Sequence, residues 1–183
     1  LESVIALYDS ELRAMDEVLA DLVPRLGLRP GAVTIITADH GEELQDHGDF
    51  GHGNTLYQEV LRVPLVIAGA PGAEAGRVVA APVSLVDIVP TVLELATGAV
   101  NARGLVSRAD SAEGGSLRAV VAELGGAQLE RYDLALREGD LKLITARGEP
   151  ARLFDVVRDP AERVDLAAQS PETVRRLEAL LEA

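Results

Sequence analysis

The hydrophobic period of this chain changes abruptly near its start, and that change limits the fold more than any other feature. The apolar positions Val4, Tyr8, Leu12, Met15, Leu19, Leu22 and Leu26 recur at spacings of three and four, which is an amphipathic helix with one buried face. The glycines and proline of Gly27-Leu28-Arg29-Pro30-Gly31 stop it. A β-branched run follows at once, Val33-Thr34-Ile35-Ile36-Thr37, and reads as a short strand buried on both faces. Leu65-Val66-Ile67-Ala68 repeats that texture, and Val78-Val79-Ala80 offers a third strand. Between them, Thr55-Leu56-Tyr57-Gln58 has the form of a capping box, opening a short helix that must end by Val63, ahead of Pro64. Residues 84–96 read as a further helix, bent or started by Pro90, with Ile88, Val92 and Leu95 inward. Helices alternating with short apolar strands predict an α/β layer fold with a mainly parallel sheet flanked by helices.

Past Gly98 the texture changes. Residues 101–118 are rich in Gly, Ser and Arg without a period, and we read them as a linker. Beyond it, residues 119–124, 132–137, 141–145 and 152–155 are predicted strands, and the tight Glu138-Gly139-Asp140 junction predicts an antiparallel hairpin. Ser170-Pro171 opens a final helix through Leu181, with cap and first-turn proline in their preferred places. The expected organisation is therefore an α/β part over residues 1–100, a linker over 101–118, and a small antiparallel β subdomain with a C-terminal helix over 119–183.

Composition excludes several functions. The formal net charge of −13 would repel polyanions, so nucleic acid is not an expected partner. Aromatics are 3% against 48% hydrophobic residues, so aliphatic side chains must build the core. The chain has no cysteine, which removes disulfides, thiolate metal sites and cysteine nucleophiles and leaves the cellular compartment open. The most apolar stretch, residues 78–95, is broken by Pro82, Asp87, Pro90 and Glu94, so no membrane span is expected. Leu1-Glu2-Ser3-Val4 lacks the basic and apolar regions of a targeting segment. A start at Leu1, within a periodic pattern, reads as a piece of something longer.

The chemistry concentrates in residues 39–53, which hold all three histidines, His40, His47 and His52, and five carboxylates with no Lys or Arg. Such a segment has a negative field that a bound cation would relieve. Asp39 and His40 directly follow the first predicted strand, and the carboxyl ends of strands in open α/β sheets face the ligand crevice. Gly41 permits the turn that would bring both onto one ion. One oxygen and one nitrogen ligand suit a divalent ion such as Ca, Mn, Mg or Zn. A solvated acidic loop is the alternative for an isolated Asp-His pair; the preceding strand and the clustered histidines favour the metal. The spacing of His40 and His47, with Gly41 between them, does not match the His-Glu-x-x-His helix of a zinc protease. His52 precedes the predicted helix start at Thr55, where free amides suit an anion, and it would donate to that anion or protonate a leaving oxygen. His47 reads as a turn histidine without a role. Asp87 is expected to cap or pair at its helix start and Arg62 to pair with Glu59 or another acid, while Arg137 and the one lysine, Lys142, lie on the predicted hairpin with nothing in the sequence tying them to substrate.

Several of these residues also carry a resemblance. Thr37-Ala38-Asp39-His40-Gly41-Glu42-Glu43-Leu44, Asp46-His47-Gly48, and the run from Gly51-His52-Gly53-Asn54-Thr55 to Arg62-Val63-Pro64-Leu65 resemble the sulfatases of the alkaline phosphatase superfamily. Upstream, Tyr8-Asp9-Ser10-Glu11 and Met15-Asp16 resemble that family's preceding helix. Downstream, Val83-Ser84-Leu85-Val86-Asp87-Ile88-Val89-Pro90-Thr91, then Leu153-Phe154-Asp155, Asp159-Pro160-Ala161-Glu162 and Asp165-Leu166-Ala167 follow the family's order. The resemblance implies hydrolysis of a small-molecule sulfate ester with one divalent cation, calcium first and Mn, Mg or Zn as alternatives, and a formylglycine nucleophile matured from Cys or Ser. It places Asp39 and His40 as a pair of metal ligands, with His where many members have Asn, and His52 as a catalytic residue contacting the sulfate or leaving group, where Lys is common. The family's Cys/Ser-x-Pro-x-Arg motif and its N-terminal aspartate pair are absent from the sequence. The chain is thus expected to be the C-terminal portion of such a fold, holding half a metal site, with the missing N-terminal half as its main partner and exposed apolar surface where that half packs. Phosphodiester or phosphonate ester hydrolysis, phosphoryl transfer, and a non-catalytic truncated module are the competing readings.

Overall fold

The structure, a computed structural model, describes residues 1–26, 31–71, 75–98, 105, 119–126 and 129–182. The expected linker at 101–118 lies outside the described residues except for Leu105, as do residues 27–30 after the first helix. The predicted helix forms as α1 (Glu2–Arg25). Its apolar stripe, expected to be buried, lies open in this chain: α1 has no buried residue, and Leu12, Met15 and Leu22 are each about half exposed.

Strands β1 (Thr34–Thr37) and β4 (Leu65–Ala68) also form where expected. They pair antiparallel, Thr34 opposite Ala68 and Thr37 opposite Leu65, within a fold expected to hold a mainly parallel sheet. The connecting segment, residues 38–64, carries the four-residue helix α2 (Gln58–Leu61). The chain leaves β1 and enters β4 at the same end, and all of residues 38–64 gathers there. Neither strand is buried on both faces: β4 alternates, with Val66 turned outward. Residues 78–80 form no strand, and Val78 is almost wholly exposed. The next helix divides into a 3-10 turn (Leu85–Asp87) and α3 (Ile88–Thr97), which places Pro90 in the first turn of α3, where its missing N–H has no intrahelical partner to lose.

The C-terminal part matches its prediction closely. Strands β5 (Val120–Gly126), β6 (Leu129–Glu138), β7 (Leu141–Ala146) and β8 (Arg152–Asp155) form an antiparallel sheet in chain order, followed by α4 (Pro171–Leu181). Glu138 pairs with Leu141 across the two-residue turn Gly139-Asp140, and Gly139 takes the left-handed φ of 59° that such a turn requires. Successive strand residues face opposite ways, and the sheet uses both faces. Leu136, Leu143 and Leu153 bury against Leu177 of α4. Ala135, Ile144 and Phe154 bury against Leu56 and Tyr57, at the end of the segment that carries the histidines. This second contact sets where the histidine segment sits. Among the described residues, no helix is long and apolar enough to cross a membrane.

Candidate metal and hydrolytic site

Residues 39–53 leave β1 and fold back as a small hairpin, β2 (Glu43–Leu44) against β3 (Phe50–Gly51). Glu43 organises it. Its buried carboxylate accepts from the backbone amides of His47 at 3.1 Å and Asp49 at 2.9 Å through Oε1, and from Thr55 Oγ1 at 3.1 Å through Oε2. One of the five carboxylates thus holds the loop's own backbone. Thr55 is committed to Glu43, so it does not cap a helix. The helix instead begins at Gln58 with Tyr57 at the cap position, and Gln58 N donates to Glu162 Oε2 at 2.7 Å. The expected anion site at this helix start is filled by a side chain of the C-terminal part.

Gly41 permits the closest approach in the segment. Its N–H donates to Val60 O at 2.7 Å, and a Cβ at this position would collide with the Glu59 carbonyl. Beside it, His40 Nδ1 lies 2.9 Å from Gly41 O, an acceptor only, so Nδ1 carries the proton and Nε2 offers its lone pair. That Nε2 lies 3.6 Å from Asp39 Oδ2. A histidine whose second nitrogen is tied to a carbonyl, with a carboxylate oxygen beside its free nitrogen, is the donor arrangement of a divalent-metal ligand pair. The Asp39 side chain is largely exposed and His40 partly so, which leaves both donors accessible. The residues present fit such an ion.

The structure also brings His52 to this place. Its ring stacks on His40 with centroids 3.8 Å apart, and its Nδ1 lies 3.2 Å from Glu42 Oε2. One ligand atom each from His40, Glu42 and His52 falls within a 4.8 Å span. The sequence showed Glu42 only as part of a negative field; its contact with His52 depends on the hairpin, which places residue 42 across from residue 52.

His47 does not join them. Its Nδ1 meets Glu59 Oε1 at 2.5 Å, its Nε2 faces Glu162 O at 3.2 Å, and its ring stacks on Tyr57 at 3.5 Å, almost parallel. Both nitrogens face acceptors, a set that two ring N–H groups satisfy. His47 thus has a structural role that sequence reasoning missed. Glu59 is taken by His47, so the expected Arg62–Glu59 pair does not form. Lys142 is buried and reaches both carboxylate oxygens of Glu162, at 2.8 and 3.2 Å, so its amine meets no substrate. Burial pushes its pKa down from the ordinary lysine range, and Glu162 opposes that shift. Arg137 donates to Gly139 O of its own hairpin at 3.2 Å. Asp87 is buried at the start of α3 without bonding the helix amides, and Ser84 Oγ accepts from Val86 N before it. Asp49, Asn54, Tyr57, Asp133 and Arg152 line a cavity of about 340 Å³ on the His47 side, and Asp39, His40 and His52 are not among its walls.

The family model for sulfatases matches residues 2–99. The chain is 32% identical over 193 residues to arylsulfatase K of Gallus gallus, covering 96% of this chain and 36% of that protein. It therefore spans about a third of the length of the curated relatives it matches. Among solved structures, the phosphonate monoester hydrolase of Agrobacterium radiobacter superposes with a TM-score of 0.65 at 27% identity, covering 97% of this chain and 38% of that one. A protein solved with its substrate D-glucosamine-2-N,6-O-disulfate superposes with a TM-score of 0.73 at 24% identity, over 91% of this chain and 36% of that one, and shows the shared fold.

Proposed function

The chain belongs to the sulfatase family, and on that premise we propose that the intact protein hydrolyses sulfate esters at a divalent-metal centre to which these residues contribute Asp39 and His40. The observation that carries this reading is the donor pair at the end of β1, His40 Nε2 beside Asp39 Oδ2 with His40 Nδ1 tied to Gly41 O. A divalent cation held there supplies Lewis-acid polarisation of the sulfuryl oxygens. Calcium is the expectation from the family resemblance; the imidazole donor favours manganese or zinc over calcium and magnesium.

His52 is the proposed catalytic residue. Its Nδ1 is directed to Glu42, which leaves Nε2 to face an anionic group or, when protonated, to pass a proton to a leaving oxygen. Its stacking on His40 keeps that nitrogen close to the metal-ligand pair. The nucleophile, with the formylglycine the resemblance implies, and the remaining ligands are proposed to lie on a part of the protein outside these 183 residues. The likeness to a phosphonate monoester hydrolase supports a second reading, in which the same donors serve a phosphonate ester. Rates of the intact protein on an aryl sulfate and an aryl phosphonate separate the two. Higher kcat/KM on the sulfate is expected, and turnover of the phosphonate alone would refute the sulfatase reading.

A further inference from the structure

We propose that Glu162, on the loop after β8, is a positioning residue for the candidate site, holding the histidine segment in register with the C-terminal sheet. The proposal rests on the reading of Asp39, His40 and His52 as the reactive site. Glu162 is 110 positions or more from each of these in sequence and touches none of them, yet a short chain of hydrogen bonds joins it to His40. Its Oε2 accepts from Gln58 N at 2.7 Å, at the start of α2. Val60 of α2 accepts from Gly41 N at 2.7 Å, and Gly41 O in turn takes His40 Nδ1 at 2.9 Å. In parallel, Glu162 O takes His47 Nε2 at 3.2 Å, midway between His40 and His52.

Two further features mark Glu162 as more than packing. Its carboxylate is fully buried yet ionically paired, with Lys142 at 2.8 Å. Its backbone takes φ of 50°, a left-handed conformation that non-glycine residues adopt seldom and that surrounding structure must enforce. That conformation accompanies the use of carbonyl and carboxylate by two different parts of the histidine segment, the loop at His47 and the start of α2. A buried ion pair alone would need neither contact.

The test uses paired variants of the intact protein. Lys142→Met/Glu162→Leu removes both charges together, which avoids a lone buried charge, and removes the side-chain acceptor for Gln58 N. Lys142→Met/Glu162→Gln removes the same charges and keeps an amide oxygen as acceptor. A third variant, Gln58→Pro, deletes the donor and leaves the ion pair intact; proline is tolerated at a first helical position. Hydrogen exchange of residues 40–60 is read beside kcat and KM on an aryl sulfate. The Leu double variant and Gln58→Pro are expected to exchange about tenfold faster or more in residues 40–60, with β6–β7 amides unchanged, and to lose kcat about 10- to 100-fold at near-constant KM. The Gln double variant is expected to recover most of both. Wild-type exchange over residues 40–60 in Gln58→Pro, or equal impairment of the two double variants, would overturn the proposal. Exchange is measured without turnover, so a protein inactive on sulfate esters would count against the functional reading alone.

Discussion

Three histidines within thirteen residues take three different positions because each finds a different acceptor. His40 meets the carbonyl of its own neighbour, His52 a carboxylate across a hairpin, and His47 two acceptors at Glu59 and Glu162. The clustering and the closeness of the Asp39 and His40 side chains, here proposed as metal ligands, were legible in the sequence, since both depend on a local spacing after a strand. The role of His47 was not, because one partner is 115 residues away. Lys142 is a similar case: on sequence it is a strand residue of a hairpin, and only the packed sheet shows it buried against Glu162. Removing one member of a fully buried pair leaves the other uncompensated. Lys142→Met is therefore expected to destabilise the fold by about 3–5 kcal/mol, read as a lower urea midpoint at unchanged m-value; a loss below about 1 kcal/mol would mean the pair behaves as an exposed one.

At the level of elements, the prediction succeeded where a local rule had no tertiary competitor. The β6–β7 hairpin follows from Gly139-Asp140, and α4 from Ser170-Pro171 and its apolar spacing. It failed where a tertiary partner took the groups that a local motif needed. Thr55 and Gln58 have the form of a capping box, but Glu43 takes the Thr55 hydroxyl and Glu162 the Gln58 amide. The antiparallel pairing of β1 and β4 was not legible for another reason: the period of a strand fixes its faces and says nothing about the direction of its partner. Gly41 belongs to this scale, because it is where α2 presses on the chain leaving β1. A methyl group there meets the Glu59 carbonyl. Gly41→Ala is expected to destabilise by about 1–3 kcal/mol and to weaken metal binding, measured by thermal melts with and without added cation; an unchanged melting temperature would show that the loop yields freely.

Across the whole molecule, the exposed stripe of α1 and the histidine segment concern the same question of what lies outside this chain. Leu12, Met15 and Leu22 have the spacing of a packed face but are each about half exposed, and an apolar face of this kind suits a contact surface. The chain spans about a third of its curated relatives, which is consistent with a face made to be covered. The acidic balance of the chain also has a local meaning here, since Glu43 holds the loop, Glu42 directs His52, and Asp39 stands open beside His40. The central claim, that Asp39 and His40 hold the divalent ion on which sulfate ester hydrolysis depends, is tested most directly by aryl-sulfate turnover of the intact protein after chelation and reloading with single divalent cations, for wild type beside Asp39→Ala. The account predicts loss of turnover on chelation, recovery with one or more of the ions, and at least about 100-fold lower turnover for Asp39→Ala at the same cation concentration. Turnover that survives chelation, or an Asp39→Ala variant as active as wild type, would contradict it.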